Sequence, residues 1–256
     1  AQGLHAFFPE IERREQLRAR LGTLIGASPS EIGFVANTTT GLLQLAFAQP
    51  WKSGDRILLF EGEFPANVLP WLQAARVFGL EPVLIPLDGF ADGSGLARLE
   101  GELKRGAAVV ACSAVQFQTG LAMPLAAMGA LCRQHGARLA VDAIQALGAL
   151  PIDVDVLGID LLSCGSHKWL MAPEGCGFVY VRKNLEVDPR ITGWLGVDDA
   201  LSFLTQGPGH MDYRRPLRSD AAWSEIGAAN ALGLAGLDRS LALLEQVGPV
   251  FEHLQA

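Results

Sequence analysis

Lys168 is a candidate nucleophile because the residues around it in the sequence are mostly apolar. It lies in the segment LLSCGSHKWLMAPEGCGFVYVR, between Leu161–Leu162 and Trp169–Leu170. Partial burial and the neighbouring His167 would favour the uncharged amine, which is the form that makes Schiff bases with carbonyl compounds. A structural lysine paired with a buried acid is an equally good interpretation of this residue taken alone.

Asp142 is a second candidate because it ends an apolar run. It closes the run ARLAVD, and Gln145 follows three residues later in DAIQALG. A carboxylate at the end of a strand can hold a protonated ring nitrogen through a charge-assisted hydrogen bond. An aspartate in this place more often caps the helix that follows, so that interpretation also stays open.

The run NTTTG, residues 37–41, connects a predicted strand to a predicted helix. Hydroxyl groups and free backbone N–H groups at the start of a helix suit a phosphate group. Simple capping of the helix by Asn37 or one of the threonines would use the same residues.

Short apolar runs alternate with amphipathic stretches along the chain. The runs lack polar alternation, which is typical of strands covered on both faces; they are residues 32–36, 56–60, 82–86, 107–113, 138–142, 159–164 and 176–182. The stretches with helical periodicity are residues 10–25, 40–48, 66–78, 96–104 and 125–135. This alternation predicts an α/β fold whose mostly parallel, seven-stranded sheet is sandwiched by helices.

The linkers of this predicted sheet bring the candidate residues together. Residues 165–175 are too few for a crossover helix, so the last strand is expected to return antiparallel. Residues 187–218 have no periodicity and predict a loop, and a final helix is expected over 224–246. Ligands of parallel sheets bind outside the carboxyl ends of the strands, where Asp142 and segments 37–40 and 163–168 should meet.

Composition excludes several classes of function. Half of the 256 residues are hydrophobic and 18% are charged, which is typical of a globular protein. A net charge of −7 disfavours nucleic-acid and membrane-surface partners, so we expect a small-molecule substrate. No apolar run approaches the ~18 residues of a membrane span, and we expect no signal peptide because the N-terminus turns charged early.

The four cysteines show no metal-type spacing; they are Cys112, Cys132, Cys164 and Cys176. We therefore predict no metal site, and we expect reduced thiols in a cytoplasmic protein. No GxGxxG motif follows a predicted strand, which argues against a nicotinamide-dependent oxidoreductase.

Residues 141–182, VDAIQALGALPIDVDVLGIDLLSCGSHKWLMAPEGCGFVYVR, closely resemble the signature of the class V aminotransferases. These are fold-type I pyridoxal 5'-phosphate enzymes, and they include cysteine desulfurases, selenocysteine lyases, kynureninase-like enzymes and isopenicillin N epimerase-like proteins. The similarity extends to FVANTTTGLLQLA and EFPANVLPW and covers roughly residues 10–248.

The resemblance implies a role for each candidate residue. Lys168 matches the lysine that binds pyridoxal phosphate as a Schiff base and shuttles the substrate's α-proton. Asp142 matches the partner of the pyridinium nitrogen, and Gln145 matches the residue that contacts the phenolic oxygen. The positions that hold the phosphate in the family correspond here to Thr38, Thr39, Ser166 and His167.

Two further positions are implied on the cofactor ring. Gln116, in SAVQFQTG, lies near a position that contacts the ring oxygen or the substrate, and Phe117 or Gln118 could fill that position instead. Phe64 follows Glu63 where the desulfurases usually stack a histidine over the ring. A phenylalanine stacks equally well but cannot move protons, which weakens the desulfurase interpretation.

The chain also departs from the family in other places. The family's RFExGTP-like segment is WSEIGAAN here, so Ala228 replaces a hydroxyl residue that normally reaches the partner subunit's phosphate. The resemblance implies a further C-terminal domain, with an arginine for the substrate carboxylate and a desulfurase's mobile-loop cysteine, and we expect this chain to lack them. The arginines that could substitute are more simply interpreted as surface residues; they are Arg190, Arg214, Arg215 and Arg218.

We therefore predict a large cofactor-binding domain over residues 10–220 and, over 221–256, a helix leading into a truncated C-terminal domain. The predicted function is that of a pyridoxal phosphate enzyme acting on an amino acid, as an aminotransferase or a C–S lyase of the desulfurase type. A homodimer is implied by the resemblance. The alternative is a non-catalytic relative that binds partners.

Overall fold

The computed structural model describes residues 4–206, 209 and 211–248, without the side chains of residues 4–7 and 205. These residues fold around one seven-stranded sheet of order β1-β7-β6-β5-β4-β2-β3. The strands are β1 (Ile32–Val35), β2 (Arg56–Phe60), β3 (Glu81–Ile85), β4 (Val109–Ser113), β5 (Arg138–Asp142), β6 (Leu161–Gly165) and β7 (Gly177–Val181).

The direction of the strands decides which residues share an edge of the sheet. Strands β3, β2, β4, β5 and β6 are parallel, whereas β7 is antiparallel to both β6 and β1. The predicted antiparallel return of the last strand is thus confirmed. Because β1 and β6 both oppose β7, β1 runs in the same direction as β6. The carboxyl ends of β1, β5 and β6 therefore lie at one edge of the sheet.

Helices cover both faces of the sheet, as predicted. They are α1 (Leu4–Ile25), α2 (Thr38–Phe47), α3 (Leu69–Phe78), α4 (Gly95–Lys104), α5 (Leu125–His135), α6 (Val154–Leu157), α7 (Ser202–Gln206) and α8 (Ala231–Val247). One buried cluster packs Leu21 of α1, Met128 of α5 and Leu237 of α8 against the sheet. The other packs Leu45 of α2 and Trp71 of α3 against the opposite face.

Three details differ from the sequence-based prediction. Strand β3 is an edge strand with Leu84 54% exposed, so it is not covered on both faces. Helix α8 begins at Ala231 rather than 224, because Asn230 accepts a hydrogen bond from the Gly233 N–H and caps it there. The predicted loop over 187–218 contains the short helix α7.

Residues after 220 are continuous with the main core. Leu237 and Leu241 of α8 belong to the same buried cluster as α1, and Arg20 of α1 pairs with Asp238. The division at residue 220 stays a prediction, and residues 249–256 lie outside the described part of the chain. Across the helices that are described, none combines the length and apolar character needed to cross a membrane.

Candidate active site

A cavity of about 150 Å³ opens at the edge where β1, β5 and β6 end. Its wall includes seven of the nine predicted site residues, namely Thr38, Thr39, Phe64, Asp142, Gln145, His167 and Lys168. The wall is completed by Asn37, Ala66, Ser113, Phe117 and Ile144. The structure therefore brings together side chains that are up to 131 residues apart in the sequence.

Asp142 is the buried acid of this cavity, with only 2% of its surface exposed. Burial raises the pKa of its carboxyl to about 7, against a hydrogen bond from the Ile144 N–H that lowers it. The nearby Glu63 raises this pKa further, and the amine of Lys168 lowers it. Asp142 thus caps the turn that follows it and also faces the cavity. Burial disfavours the ionised form of this carboxyl, and a cationic ring N–H bound in the cavity would stabilise that form.

The start of α2 forms the second wall of the cavity. Asn37 caps this helix by accepting a hydrogen bond from the Thr40 N–H at 2.8 Å. The hydroxyl oxygen of Thr38 accepts a hydrogen bond from the Gly165 N–H at 2.8 Å, whereas Thr39 is exposed on the cavity. The first N–H groups of a helix have no intrahelical acceptor and carry partial positive charge, so this wall suits a phosphate. Capping and anion binding are therefore compatible here.

Lys168 lies in the loop after β6 and is half-buried. Its Nζ atom is 5.8 Å from the centroid of the Phe64 ring. Among the described residues, no carboxylate lies within ion-pair distance of this amine. The interpretation of Lys168 as a structural lysine paired with a buried acid is therefore wrong, and the amine is available to a ligand in the cavity.

Two aromatic rings form the wall that faces Lys168. Phe64 and Phe117 meet edge to face, with their ring centroids 5.2 Å apart. Both are partly exposed, at 46% and 39%, so neither is a core residue. An aromatic wall beside a lysine and opposite a helix start can cover the face of a flat ring.

Gln116 and Ser166 are the two predicted site residues that do not line the cavity. The Nε2 of Gln116 donates instead to Oε1 of Glu63 at 2.8 Å, and Phe117 occupies the wall. The hydroxyl of Ser166 donates to the Cys176 carbonyl at 2.7 Å and so closes the loop between β6 and β7. Each of these two side chains therefore has its hydrogen-bond partner within the protein and away from the cavity.

Sequence reasoning missed Glu63 and Ser113. Glu63 follows β2 and is buried, and its carboxylate accepts hydrogen bonds from Ser113 and Gln116. Ser113 ends β4 and lies on the cavity wall beside Asp142. The available signal was the same one that revealed Asp142, a polar residue at the carboxyl end of an apolar strand.

The arginines considered for a substrate carboxylate do not line the cavity. Arg190 pairs with Asp188, Arg215 with Asp199 and Arg218 with Asp220, and Arg214 is exposed. Arg190 and Arg214 are exposed surface residues as expected, whereas Arg215 and Arg218 are partly buried. Ala228 is exposed in the loop before α8 and also lies away from this cavity.

In the described part of the chain, no cluster of His, Cys, Asp and Glu could hold a metal ion.

Comparison with known protein families decides how this cavity is classified. The family described as Aminotransferase class-V matches residues 4–248. The chain belongs to the class V aminotransferase family. The family and the fold predicted from the sequence are thereby confirmed.

Curated relatives within this family are cysteine desulfurases. The chain is 32% identical over 255 residues to a cysteine desulfurase of Klebsiella pneumoniae subsp. pneumoniae, covering 96% of this chain and 60% of that protein. It is 32% identical over 258 residues to the cysteine desulfurase of Escherichia coli K12, with the same coverage. The chain thus spans about 60% of the length of the curated relatives it matches.

Solved structures show the same fold. The apo cysteine desulfurase of Thermococcus onnurineus NA1 matches with a TM-score of 0.81 and 27% identity, over 94% of this chain and 58% of that one. The cystine C–S lyase C-DES in complex with cysteine persulfide matches with a TM-score of 0.87 and 26% identity, over 98% and 65%. A C-DES mutant with glycine covalently linked to the PLP cofactor gives a TM-score of 0.88 and 26% identity, over 99% and 65%.

Proposed function

We propose that this protein is a pyridoxal phosphate-dependent lyase that breaks the C–S bond of a sulfur-containing amino acid. The observation that carries the proposal is the convergence of Lys168, Asp142 and the start of α2 on one cavity. Cysteine desulfurase relatives and the likeness to a cystine C–S lyase support the substrate class.

Pyridoxal phosphate as the cofactor is confirmed by the family and by the PLP-linked neighbour. The cavity fits this group at three points, because neither Asp142 nor Lys168 has an ion-pair partner among the described residues and α2 begins at the cavity wall. When bound, pyridoxal phosphate supplies an aldehyde that condenses with amines and a ring that withdraws electrons from the substrate's α-carbon.

Four regions of the cavity wall have distinct tasks in this proposal. The N–H groups of Thr38 and Thr39 bind the phosphate, and the ionised carboxyl of Asp142 holds the proton on the ring nitrogen. Phe64 would cover a flat ring held in the cavity and exclude water from it. The Nζ of Lys168 would hold the cofactor's aldehyde carbon and, as a free amine, would accept the substrate's α-proton.

One observation favours a lyase acting on a disulfide. Phe64 cannot protonate a departing sulfur, so a leaving group that is stable as an anion is preferred, such as the persulfide released from cystine. The four cysteines of this sequence are all buried, and none of them lines the cavity. Desulfuration of free cysteine is the second candidate, favoured by the names of the relatives.

Product analysis tests the proposal. We expect the cofactor-loaded protein to convert L-cystine to pyruvate, ammonia and cysteine persulfide. Alanine from L-cysteine, with sulfide released only when a thiol reductant is added, would indicate a desulfurase, and a keto acid formed only with added pyruvate or glyoxylate would indicate an aminotransferase. Lys168→Ala should abolish the activity and the visible band of the lysine-bound cofactor, whereas Lys183→Ala, an exposed control, should keep both. Full cofactor loading with no product would favour the non-catalytic alternative.

The proposal extends to assembly and location. We propose a homodimer in which the partner covers the exposed aromatic residues around the cavity, Phe64, Phe117 and Trp169. Sedimentation equilibrium measures the mass of the assembly and so distinguishes a dimer from a monomer. The four free, buried cysteines support a reducing compartment, and we propose the cytoplasm.

A further inference from the structure

Glu63 carries a buried carboxylate immediately behind the cavity. Only 8% of its surface is exposed. Its Oε1 atom accepts hydrogen bonds from the Ser113 N–H at 2.6 Å and from Nε2 of Gln116 at 2.8 Å, and its Oε2 accepts one from the Ser113 hydroxyl. Glu63 follows β2, whereas its partners belong to the end of neighbouring β4 and the loop after it. The carboxylate therefore joins the carboxyl ends of two adjacent strands.

The hydrogen bond between Glu63 and Gln116 joins the two chain positions that immediately precede the rings of the aromatic wall. Glu63 precedes Phe64 in the sequence, and Gln116 precedes Phe117. The two rings are in edge-to-face contact, and the Lys168 amine lies 5.8 Å from the Phe64 ring. Fixing Glu63 against Gln116 therefore fixes the two backbone positions that carry the rings.

Ser113 links Glu63 to Asp142. Ser113 and Asp142 are paired across β4 and β5, and the Ala114 N–H donates to the Asp142 carbonyl at 2.8 Å. The charge of Glu63 also raises the pKa of the Asp142 carboxyl, opposing Lys168, which lowers it. His167 shares the cavity. Burial raises the pKa of the nearby thiols of Cys112 and Cys164, and the charge of Asp142 raises it further.

The Glu63 carboxylate is buried without a cationic partner among the described residues. The donors to Glu63 are neutral, and in the described structure no Lys, Arg or His pairs with it. A buried carboxylate without a counter-cation is unfavourable. In addition, Oε1 of Gln116 is buried without a hydrogen-bond partner. Apolar residues would fill this place at lower cost, so a contribution to function explains the cluster better than a contribution to stability does.

We propose that Glu63 is a positioning residue of the cofactor cavity, which holds the Phe64–Phe117 wall and the end of β5 in place through Gln116 and Ser113. The inference rests on the cofactor site of the proposed function and not on its substrate. Since cofactor binding is measured without substrate, a protein that binds pyridoxal phosphate but cleaves no C–S bond would contradict the proposed reaction only.

The test uses the cofactor-free protein titrated with pyridoxal phosphate. Gln116→Leu removes the donor and keeps the charge of Glu63, whereas Glu63→Gln removes the charge and keeps the size. We expect each to weaken cofactor affinity about tenfold, as loss of a hydrogen bond to a charged group would, and to change the near-ultraviolet circular dichroism of the bound cofactor. Glu102→Gln, which loses a carboxylate bonded to Arg56 away from the cavity, should leave both unchanged.

The pH dependence of cofactor affinity separates the positioning role of Glu63 from the effect of its charge on Asp142. In Glu63→Gln the midpoint at which affinity rises with pH should move down, because the pKa of Asp142 falls when the neighbouring negative charge is lost. In Gln116→Leu the midpoint should stay in place. If Glu63→Gln does not fold, Gln116→Leu and Ser113→Ala carry the test. Unchanged affinity and circular dichroism in these variants, with only the free energy of unfolding lowered, would overturn the inference.

Discussion

The hydroxyl oxygen of Thr38 accepts a hydrogen bond from the backbone N–H of Gly165 at 2.8 Å. Thr38 is the first residue of α2, and Gly165 ends β6, three residues before Lys168. This contact joins the wall that suits a phosphate to the segment that carries the amine. The distance between the two ends of a bound cofactor is therefore set by a buried hydrogen bond of the protein.

Replacement of Thr38 should affect both stability and cofactor binding. Thr38→Val keeps the shape but leaves the buried Gly165 N–H without an acceptor, which costs about 1–3 kcal/mol of unfolding free energy. Affinity for pyridoxal phosphate should fall as well. Urea unfolding and absorbance titration measure the two effects, and Thr38→Ser should restore both.

Thr39→Val is the matched control for this experiment. Thr39 is exposed on the cavity, and none of the described side chains or carbonyls bonds its hydroxyl. We expect weaker cofactor binding with unchanged stability. A large loss of stability in Thr39→Val, or none in Thr38→Val, would contradict the distinction drawn between the two threonines.

Asp142 should make the stability of the cofactor-free protein depend on pH. Its folded-state pKa of about 7 lies above the ordinary value of 3.8, so the folded protein holds a proton that the unfolded chain releases. The stabilisation is present below pH 4 and is lost as pH rises through 7, with a total on the order of 4 kcal/mol. Asp142→Asn should remove this part of the slope.

The measurement compares unfolding free energies of the wild type and Asp142→Asn from pH 4.5 to 8.5. The difference between them should grow in favour of the variant across this range, although the variant binds pyridoxal phosphate more weakly. Asp160→Asn, which replaces another buried acid that is bonded to Arg182 outside the cavity, should leave cofactor affinity unchanged. Parallel pH profiles for wild type and Asp142→Asn would refute the raised pKa.

Phe64 should contribute to cofactor binding and little to folding. Phe64 is 46% exposed, and its ring contacts that of Phe117. Aromatic contacts contribute about 0.5–1.5 kcal/mol, so Phe64→Ala should weaken cofactor binding by roughly 2- to 12-fold with little change in melting temperature. Leu69→Ala removes a similarly exposed apolar side chain outside the cavity and should have no effect on affinity. Equal effects of both changes would count against a role of Phe64 in the site.

The position of Asp142, Lys168 and Thr38 in one cavity could be predicted from the sequence. Each follows an apolar run, and parallel strands place their carboxyl ends together. The antiparallel return of β7 followed from the length of the linker alone. These features depend on local patterns and on general rules of sheet topology, both of which the sequence displays directly.

The register of the loop after β4 could not be predicted. Whether Gln116 or Phe117 faces the cavity is decided by the hydrogen bond from Gln116 to Glu63, which lies 53 residues earlier. The start of α8 likewise depends on Asn230 as a cap, after a short 3-10 helix at Ala221–Ser224. The register of the loop is therefore set by a contact between distant segments, and the start of α8 is set by a local cap that the helical periodicity does not reveal.

Gly165 is the position where the site tolerates no side chain. A Cβ atom there would lie 2.9 Å from the Thr38 hydroxyl oxygen, 3.2 Å from Ile144 and 3.4 Å from His167. All three residues line the cavity, so Gly165→Ala must displace at least one wall. We expect loss of most cofactor affinity, together with a loss of stability of about 1–3 kcal/mol.

Gly101→Ala provides the opposite case within the same chain. Gly101 lies in α4, and a Cβ atom there would contact nothing within 4 Å. Alanine is favoured over glycine in a helix by about 1 kcal/mol, so this variant should be more stable and bind pyridoxal phosphate normally. Calorimetric melting and absorbance titration of both variants provide the comparison. Normal affinity in Gly165→Ala would show that the walls of the cavity can move apart without loss of function.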